Sequence, residues 1–342
     1  MNKQMAVCQS LIVNIFQEKI EQSLANILLS IEKFRVKLCN SNTYTEFFFK
    51  YVAGVKVYLD NNKFQYGFLN EDFVDLSLKN YLLQVFSDNS CEQYIEQLIK
   101  NKNVNTNEAG RLALIKFSIY YIINHYNING FTLVDIGSSA GLHLLWENLS
   151  VYYKKTCLGN VCKKHTIKSN ESSTFICNLV GNGVGIPCLS KKIEPKNIIT
   201  IDDQIISIDE QKDLTWLFAL TPKNDFCRQS RLRWALNERK NCDFDFFRAD
   251  ATSQLNTIVQ DLNTRNPLVL SHTFLHTNWT EFQKSNFYIQ LKKISRDKLF
   301  YEVGVEFDKN YQCFLTISLW RNCVPINLLT KQCDPQGRWI KI

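Results

Sequence analysis

A chain of 342 residues with 45% hydrophobic and 21% charged side chains can bury a substantial core, which excludes disorder as its dominant state. No run of about 18 uncharged apolar residues occurs, which removes a membrane-spanning helix. A net charge of +7 is too small for this length to argue for nucleic acid by itself.

Residues Met1 to Ser10 lack the charged, apolar and small-residue regions of a secretory signal, so a cytoplasmic location and reduced thiols at the 12 cysteines are expected. From Met5 to about His125 apolar residues recur at helical spacing, first at Leu11, Ile15, Ile20, Leu24, Ile27, Leu28 and Ile31. Phe73 to Phe86, Tyr94 to Ile99 and Glu108 to Tyr126 continue the pattern, until Asn127 to Gly130 break it. A helical N-terminal domain over residues 1–129, a candidate lid, is therefore expected. The aromatic run Phe47, Phe48, Phe49 and Tyr51 reads as interhelical core.

At Phe131 the texture changes. Phe131 to Ile136 is a short apolar, β-branched run, followed by the turn Gly137-Ser-Ser-Ala-Gly141 and a helical stretch, Leu142 to Leu149. Apolar segments recur at Asn197 to Ile201, Phe244 to Phe247, Pro267 to Leu270 and Lys298 to Val305. Helical patterns at Thr215 to Arg239 and Ser253 to Leu262 alternate with them. Alternating β and α segments predict an α/β domain over residues 130–342 with a mostly parallel sheet. Tyr311 to Trp320 and Arg338 to Ile342 read as an antiparallel closing hairpin around a Pro- and Asn-containing loop.

Residues 151–200 read as an insertion of short strands and loops. Eight lysines (154, 155, 163, 164, 168, 191, 192 and 196) face two glutamates there, a local charge of +6. Beside the carboxyl edge of the first strand, that charge suits an anionic acceptor such as a phosphorylated metabolite, acidic peptide, nucleotide or RNA, and alternatively reads as a solvated loop. Within the insertion, Cys157-x4-Cys162-x2-His165 with Cys177 lacks the paired spacing of a zinc site, and no metal is expected. Gly181-x-Gly-x-Gly185 reads as a turn rather than a phosphate loop.

The residues Val134 to Leu142 carry the sharpest signal. A glycine directly after a strand lets backbone approach a ligand, and Asp135 at the strand end can accept from a ligand amine. Ser139 stands where a dinucleotide fingerprint needs glycine, which argues against NAD. The pattern Asp135-x-Gly137-x-x-x-Gly141 instead resembles the first motif of class I S-adenosylmethionine-dependent methyltransferases, although that motif normally carries the central glycine absent here. The resemblance implies a Rossmann-like sheet and a cofactor site comprising Asp135, Gly137, Ser138, Ser139, Ala140 and Gly141. It also implies Asp202 at the ribose hydroxyls and Asp250 at the adenine amino group. Each of those two acids alternatively reads as a helix N-cap.

From about Phe131 the chain also resembles an uncharacterised, mainly bacterial family, domain of unknown function twenty-three thirty-two. The likeness rests on Asp135 to Leu142, Trp216 to Pro222, Arg228 to Leu232, the strand with Asp250, Leu268 to Thr273, and Pro335 to Trp339. That family's usual histidine before the terminal Gly-Arg-Trp is Gln336 here. His272, at the end of a predicted strand, is the candidate catalytic base and alternatively reads as a structural hydrogen-bonding residue, with His276 four residues on. The overall expectation is a methyltransferase acting on a small or anionic acceptor. Alternatives are an enzyme of another adenosine-containing ligand and a non-catalytic module binding RNA or a protein through the lysines.

Overall fold

The computed structural model describes residues 19–40, 44–62, 71–104, 106–157, 160–167, 174–181, 195–223, 225–262 and 264–342. In chain order the helices are α1 (Lys19–Ser30), α2 (Glu32–Asn40), α3 (Tyr44–Asn61), α4 (Glu71–Ser87), α5 (Asn89–Ile99), α6 (Leu112–Tyr126), α7 (Gln211–Leu220), α8 (Phe226–Arg239), α9 (Ala251–Asp261) and α10 (Glu281–Asp297). The strands are β1 (Thr132–Ile136), β2 (Ser150–Cys157), β3 (Asn160–Ile167), β4 (Thr174–Val180), β5 (Asn197–Asp202), β6 (Asp245–Arg248), β7 (Leu268–Thr273), β8 (Phe300–Phe307), β9 (Cys313–Arg321), β10 (Val324–Gln332) and β11 (Trp339–Lys341). Among the described residues no helix is long and apolar enough to cross a membrane.

The chain divides into two compact units, Met1–Thr106 with Ser207–Leu232, and Asn107–Ile206 with Arg233–Ile342. The described residues of the first are mainly helical, and the predicted helical spacing at Leu11 and Ile15 lies outside them. Leu24, Leu28, Phe34, Phe48, Tyr51, Val55, Leu82 and Ile95 interlock in its core, and Trp216 of α7 joins them. The aromatic run of α3 packs there, with Phe34 and Tyr51 ring centroids 4.9 Å apart. α7 is tied in at both ends: Trp216 Nε1 donates to the Asn103 carbonyl at 2.9 Å, and Lys102 pairs with Asp213 at 2.8 Å. The single helical pattern from Thr215 to Arg239 is broken in the structure between Leu220 and Phe226, because Pro222 cannot continue a helix.

The second unit holds a seven-stranded sheet of order β10-β9-β8-β7-β1-β5-β6. It is mixed α/β and mostly parallel: β6, β5, β1, β7 and β8 run together, and the antiparallel strands follow at the C-terminal edge. Side chains alternate across a strand, so each face has its own set. Val134, Ile136, Ile199, Ile201, Leu268 and Leu270 meet Leu255, Val259, Phe287, Leu291 and Ile294 of α9 and α10 on one face. Each such buried side chain is worth about 1.5–3 kcal/mol. A polar row, Thr200, Asp135 and Ser271, lies in register on the other face.

Three elements differ from the sequence reading. The closing hairpin is β9 with β10, not Tyr311 to Trp320 with Arg338 to Ile342. β10 is an edge strand with no fully buried residue, bearing Pro325 and a register shift between Asn327 and Leu329, so it lacks the alternating apolar signature and reads as loop. β11 instead pairs in parallel with β4, in a second sheet of order β11-β4-β2-β3 built from the insertion. The segment after the β1 turn is a short 3-10 turn, Leu142–Trp146, that leads straight into β2 rather than a helix to Leu149.

Candidate functional site

β1 is buried along its whole length, and chain order reverses around it: β5 and β6 lie on one side, β7 and β8 on the other. In open α/β sheets the crevice at the carboxyl ends beside such a reversal is where ligands bind. The turn Gly137 to Gly141 occupies that place. Gly137 N donates to Ile201 O at 2.8 Å, and Gly141 N to Ser138 O at 2.8 Å. Asn107 brackets the turn, donating from Nδ2 to Ser138 O at 2.5 Å and accepting from Leu142 N at 3.1 Å.

Gly137 and Gly141 have φ of 70° and 74°, and Ser139 between them has φ of 56°. Ser139 thus adopts the left-handed conformation that glycine adopts without strain, so the turn keeps its path although the residue differs. A methyl group at Gly137 would also sit 2.7 Å from Leu275 Cδ1. Gly137→Ala is expected to destabilise the second unit by about 1–3 kcal/mol, read as a lowered urea midpoint at constant slope. An unchanged midpoint would mean the turn has another conformation.

The side chains around this turn are polar and sealed. Asp135 is 1% exposed, Ser138 0% and Ser139 1%, with Ala140 equally buried. Asp135 Oδ1 accepts from Ser271 Oγ at 2.7 Å. Asp135 Oδ2, Ser138 Oγ and Ser139 Oγ have no hydrogen-bond partner among the described residues. Leaving such atoms unpaired costs about 1–3 kcal/mol each, more for a charged one. Burial, with the Asp202 carboxylate adding to it, pushes the Asp135 carboxyl up to about 7, against the Ser271 hydrogen bond.

His143 stands 3.9 Å from Asp135, Nδ1 to Oδ2. Burial and the Arg111 charge depress its pKa to about 3, so the ring is neutral. Its Nε2 lies 3.3 Å from the Glu108 carbonyl, which can only accept, so the proton belongs on Nε2 and Nδ1 carries a lone pair. With Asp135 ionised, its Oδ2 and His143 Nδ1 are two acceptors 3.9 Å apart that a single donor beside them would satisfy.

Asp202 holds the turn. Its Oδ2 accepts from Ser139 N at 2.7 Å and its Oδ1 from Gln204 N at 2.8 Å. Burial raises this carboxyl to about 6, opposed by those two N–H groups. Asp250 is the N-cap of α9: Oδ1 accepts from Thr252 N at 2.8 Å, and Oδ2 from Thr252 Oγ1 at 2.9 Å and Ser253 Oγ at 3.2 Å.

His272 lies on the other face of β7, in register with Gly304. Glu302 and Glu306 stand two residues to either side of that glycine, on one face of β8. His272 Nδ1 is 2.8 Å from Glu306 Oε1 and Nε2 is 3.2 Å from Glu302 Oε1. Burial opposes charge on the ring, but the two carboxylates outweigh it and lift its pKa to about 10. Both nitrogens then donate, so the ring keeps no lone pair for proton abstraction. Glu302 Oε2 also accepts from Trp320 Nε1 at 2.6 Å, and Glu306 accepts from the backbone N–H groups of Leu275 and His276 at 2.9 and 3.2 Å.

Asp135 and the turn are legible in the residue order, whereas Asn107, His143, Glu302 and Glu306 join the two clusters only in the folded chain. The signal for the glutamates was present as Glu302-Val-Gly-Val-Glu306, a period-two repeat. Of the basic insertion, Lys168, Lys191 and Lys192 and the glycines at 159, 183 and 185 lie outside the described residues, as do the side chains of Cys157, Cys162, Lys163, Lys164 and His165. Lys154 and Lys155 in β2 are half-buried, and Cys177 is fully buried, which raises its thiol pKa.

Comparison with known proteins finds one family, described as "Uncharacterized protein conserved in bacteria (DUF2332)", matching residues 81–342. No curated protein and no solved structure matches the chain.

Proposed function

The chain belongs to this family of uncharacterised proteins conserved in bacteria, and we propose that it is a transferase, an S-adenosylmethionine-dependent methyltransferase. The observation that carries the reading is the pair of facing acceptors, Asp135 Oδ2 and His143 Nδ1, beside the unpaired hydroxyls of Ser138 and Ser139. An α-amino acid end fits this donor and acceptor set. Its ammonium group donates to Asp135 and His143, and its carboxylate accepts from the two serines. A buried carboxylate without a cation is costly, and a cationic ligand is what relieves it.

When bound, the cofactor supplies an electrophilic methyl group. The chain's own residues supply alignment and dryness. Asp202 fixes the Ser139 backbone, Asn107 fixes Ser138 and Leu142, and Ser271 orients Asp135, so the ligand meets a preset turn. Displacement at a methyl carbon depends mainly on in-line geometry and excluded water, and this reading requires no proton abstraction by His272. The near-complete burial of Asp135, Ser138 and Ser139 means that side chains covering the turn move aside to admit ligand while the hydrogen-bonded turn keeps its path, so association is slower than diffusion. The lysine excess of residues 151–200 points to an anionic acceptor.

Calorimetric titration of the full chain with S-adenosylmethionine, S-adenosylhomocysteine, ATP and NAD tests the reading. The first two are expected to bind saturably, and Asp202→Ala to weaken both by at least about tenfold, since it frees Ser139 N. Absence of heat at millimolar S-adenosylmethionine, or ATP and NAD binding as tightly, would sink it.

A further inference from the structure

We propose that His272, His276 and Glu306 form a binding site for one divalent transition-metal ion of the zinc class. Each of the three offers one ligand atom, and these atoms all lie within 4.8 Å of one another. Ligands about 2.0–2.2 Å from a zinc ion stand roughly 3.3 Å apart, so modest side-chain rotation completes the set. Two imidazoles and one carboxylate suit zinc, iron(II) or nickel rather than magnesium or calcium, which prefer all-oxygen shells.

The surroundings are built as metal sites are. The end of β7 passes into the turn His276–Asn278, which brings the two imidazole centroids to 5.1 Å. Glu306 is aimed by the Leu275 and His276 backbone N–H groups. An ion at His272 Nδ1 takes the place of the proton there, while Nε2–H stays on Glu302, itself held by Trp320 Nε1. A carboxylate behind a ligating histidine fixes the ring and strengthens it as a ligand. Among the described residues the His276 ring has no hydrogen-bond partner, and it is only partly buried, which leaves a route for an ion. Phe287 and Trp279 pack against His276 at 5.9 and 5.8 Å and supply an apolar collar. A Cβ on residue 304 would come within 3.0 Å of His272 Cε1, so glycine is what lets the ring lie against β8.

Ser271 and His272 point to opposite faces of the sheet, so this cluster is separate from the Asp135 turn. It ties β7, its following turn and β8 together, which makes it a structural site independent of methyl transfer.

The test uses the full chain stripped with a chelator and titrated with zinc chloride, then with cobalt(II) as a spectroscopic probe. About one zinc per chain with sub-micromolar affinity and a raised melting temperature is expected. Cobalt(II) is expected to give visible d–d bands without a thiolate charge-transfer band. His276→Ala and Glu306→Gln should each weaken zinc at least about 100-fold while circular dichroism stays native; the two are independent, so one suffices if the other does not fold. Less than about half an equivalent of zinc in the wild type, unchanged affinity in the folded variants, or a thiolate band from the cysteines would overturn the proposal.

Discussion

Asp135→Asn is expected to weaken S-adenosylmethionine binding roughly 30- to 150-fold while stabilising the unliganded protein at pH 8. The amide keeps an oxygen for Ser271 Oγ but removes the charge facing His143. Losing a charged hydrogen bond to the ligand ammonium costs about 2–3 kcal/mol, or roughly 30- to 150-fold in affinity. The stability effect has the opposite sign for a definite reason. In the unfolded chain this carboxyl ionises near 3.8, and in the folded chain near 7, because burial disfavours its charge. Below about pH 4 both forms carry the proton and the residue contributes nothing to pH dependence. Between about 4 and about 7 the folded state binds the extra proton, so stability falls as pH rises, and above about 7 the whole penalty is present. Asparagine has no such penalty, and the variant should gain on the order of 2–4 kcal/mol at pH 8 but little at pH 4. Urea unfolding at the two pH values reads this directly. A variant destabilised equally at both would show that Asp135 is an ordinary structural acid.

The second large effect falls on the other face of the sheet. Glu302→Leu should destabilise the second unit by about 3–5 kcal/mol, because it strips His272 and the Trp320 indole of their common acceptor in a buried setting. Trp320 is 1% exposed and stacked on Phe300, with ring planes 9° apart, so it has little freedom to find another partner. Glu302→Gln keeps an acceptor for Trp320 and should cost less than the leucine. A loss under about 1 kcal/mol for Glu302→Leu would mean that the His272 network is solvated.

Much of this was legible in the residue order, for reasons that differ from element to element. β1 and its turn announce themselves because a buried central strand must be a continuous apolar run and a left-handed turn favours glycine. β5, β7 and β8 follow for the same reason, whereas the exposed edge strand β6 shows only through its aromatic pair Phe246 and Phe247. β10 did not show, since an edge strand with no fully buried residue has no buried face to impose a pattern. The parallel pairing of β11 with β4 joins segments about 160 residues apart, and nothing local specifies it. At the site, Asp135 stood out by its place at a strand end. His143 lay inside an apparent helix and was invisible as its partner. Asp202 and Asp250 were each open between ligand contact and local capping: Asp250 caps α9, whereas Asp202 accepts from Ser139 across 63 residues, a contact that local spacing does not encode.

A crystal structure of the full chain grown with S-adenosylhomocysteine tests the central claim most directly. Density for the ligand's amino-acid moiety is expected at the β1 turn, its ammonium group about 3 Å from both Asp135 Oδ2 and His143 Nδ1, and its carboxylate on the Ser138 and Ser139 hydroxyls. Ligand density elsewhere on the chain, or an ordered water bridging Asp135 and His143 at saturating ligand, would contradict it.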